Sequence, residues 1–193
     1  MGRLFFNGVF AIQMVWLAWG ISWFAASGWS AGVARLAPEQ WRYRIFTFSS
    51  FPLLLVFSPV FQRPPFLLYN APRLLQWAMF ACVCGIVAFS WWSRLTLGRR
   101  WSASIQRKDA HRVVKEGPYA LVRHPIYTAL IGAGLATATA KGTVIAWAGA
   151  ACFVIGYWLK ARQEEKFLRR ELGEAAYDDY AARVPMLVPL IRF

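Results

Sequence analysis

The sequence predicts an all-α integral membrane protein with about five transmembrane helices, and three observations predict it. Hydrophobic residues make up 58% of the 193 positions and charged residues only 16%, against roughly 45–50% and about 25% in an average soluble domain. Long uncharged stretches recur along the whole chain. The 22 Lys and Arg outnumber the nine Asp and Glu and cluster between those stretches. In a soluble chain such an excess would point to nucleic acid. In a chain this apolar it points to loops held against anionic membrane lipids, with no nucleic-acid partner. An aromatic content of 17% excludes a disordered or low-complexity chain.

The elements follow in order. Residues 4–26 are uncharged and as a helix would extend about 34 Å, enough for a hydrocarbon core of about 30 Å. That length, with only Arg3 before it, favours a retained span over a cleaved signal peptide. Residues 45–61 form a second span, with Pro52 and Pro59 expected to kink it. Residues 74–93 form the third. Residues 126–140 and 143–159 form the fourth and fifth, separated only by Lys141 and Gly142, which makes them a tight helical hairpin with short arms. Its small residues (Ala129, Gly132, Ala133, Ala136, Ala140, Ala146, Gly149, Ala150) suit close backbone approach, and Gly132-x-Gly134 reads as helix packing rather than a nucleotide loop. Cys82, Cys84 and Cys152 all fall in apolar stretches. The first two point to nearly opposite sides of a helix, so all three read as small buried hydrophobes and no metal site is expected.

Charge asymmetry predicts the orientation. Three, eight and seven basic residues lie between spans one and two, between spans three and four, and after span five, which is eighteen of the 22. In a five-span chain these segments share one side, and the positive-inside rule makes it cytoplasmic. The amino terminus is then outside and the carboxyl terminus in the cytoplasm of a multi-pass protein, which for a bacterial chain means the inner or plasma membrane. No repeat or linker divides the chain, which reads as one domain over 1–193.

Two polar segments carry the chemistry. Residues 94–125 hold both histidines, His111 and His124, and two rigid turns at Gly117-Pro118 and Pro125. A basic loop on lipid headgroups would account for the charge, and an interfacial aromatic belt for Tyr119 and Tyr127. The same histidine, arginine and tyrosines beside the opening of a helix hairpin also suit a pocket for a polar ligand. Residues 160–192 carry Leu168 and Leu172 at helical spacing, a stop at Gly173, and Tyr177 and Tyr180 on one face of a short helix. Glu165 can pair with Arg169. Glu164, just below the membrane among many cations, can receive hydroxyls or an amine from a ligand. No Ser-His-Asp set, HExxH element or metal-ligand cluster is present.

The run GPYALVRHPIYTALIG from Gly117 to Gly132, with Trp101-Ser102 upstream, is followed by Arg162-x-Glu164-Glu165, LG, YxxY and RVPxLVP, ending at Pro189. This pattern resembles the isoprenylcysteine carboxyl methyltransferase family, part of a wider group of membrane methyltransferases that includes phospholipid N-methyltransferases. The resemblance covers about half the chain and is specific for the group rather than for the substrate. It implies a cytosolic pocket for S-adenosylmethionine formed by the 94–125 loop and the carboxyl-terminal helices, and a lipid or prenylated substrate entering from the bilayer. It divides the single domain into a three-span part over 1–93 and a cofactor-binding part over 94–193. The implied cofactor residues are Gln106 (two residues nearer the histidine than in eukaryotic members), His111, Arg112, Val113, Val114, Tyr119, His124, Pro125, Ile126, Tyr127 and Glu164. The basic residue that meets the substrate falls on Lys160, with Arg162 as the neighbour that can replace it.

The chemistry agrees with this inventory. Methyl transfer from a sulfonium needs a nucleophile held close, in line and stripped of water. A carboxylate is already ionised at neutral pH and needs no base, only a cation to align it. The expectation is therefore an S-adenosylmethionine-dependent methyltransferase for an isoprenylcysteine-type carboxylate, with Arg162, Lys160 and Glu165 as catalytic candidates. An amine acceptor, as in phospholipid N-methylation, would need a proton acceptor such as His124 or Glu165. The competing classes are an NADPH-dependent sterol-type membrane reductase and a non-enzymatic scaffold or small transporter. Transporters place charges within their spans, whereas here the notable polar residues inside the first span are Asn7 and Gln13.

Overall fold

The computed structural model describes residues 7–29, 35–36, 40–56, 58–98, 106–107, 114–172, 174–189 and 191. Helices α1 (Gly8–Ala25), α2 (Trp41–Leu55), α3 (Arg73–Leu97), α4 (Pro125–Lys141) and α5 (Val144–Leu172) form a bundle, and the short α6 (Glu174–Arg183) folds back beneath it. The only extended pairings among the described residues are Arg35–Leu36 with Gln106–Arg107, antiparallel, and the single bridge Leu67–Thr143. Gly8 abuts Gln76, and the end of α4 reaches the end of α2 through Lys141 and Leu54. The starts of α1 and α3 and the ends of α2 and α4 therefore share one end of the bundle. Successive helices alternate in direction.

Among the described residues, three helices are long and apolar enough to cross a membrane: Gly8–Gly28, Arg73–Leu97 and Val144–Arg170. Helices α2 and α4, of 15 and 17 residues, extend about 22 and 26 Å, short of a core of about 30 Å. The outer surface is apolar, with Leu74 and Phe24 more than four-fifths exposed. The interior is aromatic and small. Trp16 stacks on Phe153 and meets Trp19 and Phe51 edge-on. Its indole N–H donates to Thr137 Oγ1 at 3.0 Å, and Trp19 does the same to Ser90 Oγ at 3.1 Å. Each buried polar edge is thus satisfied across helices, as a water-free interior demands.

Several expectations are corrected. The second apolar stretch is helical over Trp41–Leu55 rather than 45–61. Pro52 lies in its last turns, and Pro59, which restricts Ser58 and lacks an N–H, opens a separate 3₁₀ turn, Pro59–Gln62. Helix α5 does not stop at 159 but runs on for 29 residues, since neither Gly nor Pro interrupts 157–172. It ends and α6 begins on either side of Gly173, which itself lies outside the described residues. Cys82 is exposed on α3, and Cys84 and Cys152 are half-buried; an apolar environment outside the bundle suits them as well as a core. The small residues of α4 and α5 serve more than their own hairpin. Gly134 gives room to Phe153 of α5, but Gly149 and Gly156 admit Leu54 and Thr47 of α2, because α5 lies along α2 while α4 lies along α3.

Candidate active site

The site forms where α4 begins. Pro125 occupies the first turn of α4, where its missing N–H costs nothing. The backbone N–H groups just before it are taken up by the carboxyl-terminal tail: Arg123 N donates to Pro185 O (2.8 Å) and His124 N to Met186 O (3.1 Å). Thr128 Oγ1 adds a bond to Leu187 O (2.6 Å). Upstream, the 3₁₀ turn Gly117–Ala120 buries Tyr119, whose carbonyl accepts from the Tyr180 hydroxyl at 2.7 Å. The GPY, RHP, YxxY and RVP elements thus form one backbone-stitched unit. Burial pushes the Tyr119 phenol well above its ordinary range, with the nearby Glu164 adding to it, so its hydroxyl stays protonated.

Helix α5 presents the complementary face. Glu165 is only 5% exposed. Arg123 Nε reaches its Oε1 at 2.7 Å, and His124 Nε2 lies 3.3 Å from the same oxygen. The Arg123 Nη1 also donates to Ala181 O (2.9 Å) and Val184 O (2.5 Å). A buried carboxylate so held satisfies the need for pairing and full hydrogen bonding. Glu165 therefore does not pair with Arg169, which bonds Asp178 of α6 at 2.7 Å instead. One residue earlier, Glu164 stays partly open, and its Oε2 accepts the Tyr127 hydroxyl at 2.6 Å and faces His124 Nδ1 at 3.8 Å. Each ring nitrogen of His124 faces a carboxylate.

A column of rings continues inward. Tyr127 stacks on His124 with centroids 5.2 Å apart, and Tyr157 stacks on its other side, also at 5.2 Å. The Lys160 ammonium lies 5.0 Å from the Tyr127 ring and 5.4 Å from that of Tyr43 on α2. Arg162 points away, exposed, over Trp158 at 5.5 Å.

Of the expected residues, Tyr119, His124, Pro125, Ile126, Tyr127, Lys160, Glu164 and Glu165 come together here. Arg162 does not join them. Val114 opens the described segment, Gln106 is described only through its pairing with Leu36, and His111, Arg112 and Val113 lie outside the described residues. Sequence reasoning left Tyr43 and Tyr157 out of the site, and placed Arg123 beside the pocket as one of its cations without pairing it to Glu165. Tyr157 was findable: it precedes Lys160 by three and Glu164 by seven, one face of a helix. Tyr43 carried no such signal, since only packing of α2 on α5 brings it in.

The isoprenylcysteine carboxyl methyltransferase (ICMT) family pattern matches residues 77–170, the stretch that runs from α3 through this site to the end of the α5 carboxylates. This stretch, just under half of the chain, is similar to the isoprenylcysteine carboxyl methyltransferase family. Among curated relatives, the nickel-cobalt-cadmium resistance protein NccN of Alcaligenes xylosoxydans xylosoxydans is 33% identical over 99 residues, 49% of this chain and 44% of that protein. The cobalt-zinc-cadmium resistance protein CzcN of Cupriavidus metallidurans is 33% identical over 102 residues, 50% of this chain and 45% of that protein. Protein-S-isoprenylcysteine O-methyltransferase B of Arabidopsis thaliana is 30% identical over 103 residues, half of each chain. The chain spans about half the length of the curated relatives it matches.

Proposed function

We propose that the chain is an S-adenosylmethionine-dependent methyltransferase acting on a lipid-like substrate at the membrane, with O-methylation of an isoprenylcysteine-type carboxylate as its reaction. The observation that carries this reading is the buried Arg123–Glu165–His124 clamp beside the half-open Glu164–Tyr127 pair, within the family-matched stretch and its adjoining tail. The donor set fits the cofactor: a half-open carboxylate for an amine or ribose hydroxyls, flat aromatic faces and a lysine cation at one place. When bound, S-adenosylmethionine supplies a methyl group on a sulfonium centre.

The chain's own residues do the rest. Glu164, with one oxygen held by Tyr127, offers the other to hydroxyls or an amine. Tyr119, His124, Pro125, Ile126 and Tyr127 form the wall of the cofactor side, and the sequence resemblance assigns Gln106, His111, Arg112, Val113 and Val114 to the same cofactor. Lys160 aligns the acceptor carboxylate, a charge-assisted contact of about 1.5–3 kcal/mol; Arg162 is the outer, second cation. Glu165 acts as a positioning residue, fixing His124 against the tail. The packed rings of Tyr43, Tyr127 and Tyr157 exclude water from the nucleophile. A carboxylate acceptor explains why no dedicated base is needed.

In this reading five helices cross the bilayer and the site opens to the cytoplasm. A phospholipid amine is the second acceptor to consider, because His124, between two carboxylates, is placed to receive a proton. The name of the plant relative supports methyl transfer; the metal-resistance names of the other two speak to a setting rather than to this chemistry. Calorimetry separates the leading reading from a reductase. Adenosylhomocysteine is expected to bind and NADPH not to; the reverse would overturn the proposal.

A further inference from the structure

The opposite end of the bundle holds a second polar cavity, of about 90 Å³, whose lining includes Asn7, Gln62, Asn70, Gln76 and Lys141. Lys141 is 5% exposed. Its ammonium donates to the carbonyls of Leu54 and Val56, both at 2.6 Å, at the end of α2. An ammonium carries three N–H groups, so one is left for the cavity that Lys141 lines. Its charge meets no carboxylate there among the described residues. The acidic residues stand at Glu39, Asp109 and Glu116 and from Glu164 onward, whereas the cavity is lined from 7–9, 62–76 and 140–141. Beside it, Gln76 donates through Nε2 to Ala71 O (3.0 Å), but its buried Oε1 accepts no hydrogen bond among the described residues.

The cavity is firmly built. Leu68 N and Tyr69 N both donate to Gly142 O, at 2.9 and 3.2 Å, and Val144 N donates to Phe66 O at 2.9 Å. The Tyr69 hydroxyl bonds Thr139 O at 2.9 Å. Gly142 sits in the left-handed region (φ +62°), where a Cβ would run into the Tyr69 carbonyl. Gly8 lets α1 approach so closely that a Cβ there would lie 2.6 Å from the Gln76 backbone.

A buried cation without a counter-charge is costly, and in a membrane protein it marks a ligand site. We infer that this cavity binds a phosphate ester bearing a hydrogen-bond donor, the chemistry of an ethanolamine or glycerol phospholipid headgroup. Phosphate oxygens take the remaining Lys141 N–H together with the Asn70 and Gln62 amides. The ammonium or hydroxyl of the head donates to Gln76 Oε1. Exposed Val60 and Leu68, on the segment that carries Gln62, give acyl chains an apolar surface. The inference does not depend on methyl transfer.

The test melts the whole chain, purified in detergent and stripped of residual lipid, with phosphatidylethanolamine, phosphatidylcholine or inorganic phosphate. At a hundredfold excess over Kd, phosphatidylethanolamine is expected to raise Tm by roughly 5–10 °C. Phosphatidylcholine, whose head has no N–H, should raise it less. Lys141→Gln should abolish the shift, and Gln76→Leu should erase the difference between the two lipids. If Lys141→Gln fails to fold because the end of α2 loses its cap, Gln76→Leu and Asn70→Leu, which leave that cap intact, decide the matter. Equal shifts in wild type and these variants would overturn the site. A shift with inorganic phosphate as large as that with lipid would overturn the lipid source and assign the cavity to free phosphate.

Discussion

Arg123→Met is the perturbation that probes the site's construction most deeply. The guanidinium holds Glu165 Oε1 at 2.7 Å and the carbonyls of Ala181 and Val184 at 2.9 and 2.5 Å. Both side chains of the ion pair are less than a tenth exposed, so solvent screens little of the interaction. Removing one partner of such a pair strands a buried charge and costs about 3–5 kcal/mol. For a chain of this length each kcal/mol moves Tm by about 2–4 °C, so the expected fall is roughly 6–20 °C in a detergent melt. Glu165→Leu should cost a similar amount by stranding the arginine. The double variant Arg123→Met/Glu165→Leu buries no lone charge, and is expected to cost less than the sum of the singles by about 2–3 kcal/mol. Strict additivity would refute the clamp, because it would mean that the two groups do not sense one another in solution.

Three further outcomes are expected. Tyr127→Phe removes the donor of the 2.6 Å hydroxyl–carboxylate bond and Glu164→Gln removes the carboxylate's charge, and each should weaken adenosylhomocysteine about ten- to a hundredfold by calorimetry without lowering Tm substantially. Burial pushes the Tyr180 phenol up to about 12 from an ordinary value of about 10. The folded chain therefore holds that proton more tightly, and the associated stability is whole below about pH 10 and lost as the pH rises towards 12; alkaline melts of Tyr180→Phe should show a shallower decline. A reporter active only outside the cytoplasm, fused after Phe193, should stay silent; activity there would mean an odd number of errors in the span count.

Much of the fold was legible because apolar length is a strong cue in a membrane protein. All five uncharged stretches contain helices, and the GPY, RHP and Glu-Glu elements lie together in the fold. What the sequence concealed depends on partners far along the chain. Glu165 has an arginine four residues ahead, the local rule for pairing, yet burial hands it to Arg123, 42 residues away. The difference is that Arg169 lies on the side of α5 facing α6, where Asp178 takes it. The cavity around Lys141 was invisible for the same reason. A lysine in a two-residue turn between helices reads as an exposed loop cation, and only the 62–71 segment folding over it encloses its charge.

The central claim is tested most directly by incubating the purified protein with S-adenosylmethionine carrying a labelled methyl group and a matched pair of acceptors, an isoprenylated cysteine with a free carboxylate and phosphatidylethanolamine. Label is expected on the carboxylate as a base-labile ester, at a rate that does not rise between pH 7 and 9. Lys160→Met is expected to lower transfer far more than adenosylhomocysteine binding. Label on the amine instead, rising steeply with pH and indifferent to Lys160→Met, would contradict the carboxylate assignment, and no label on either acceptor from a protein that binds NADPH would contradict methyl transfer itself.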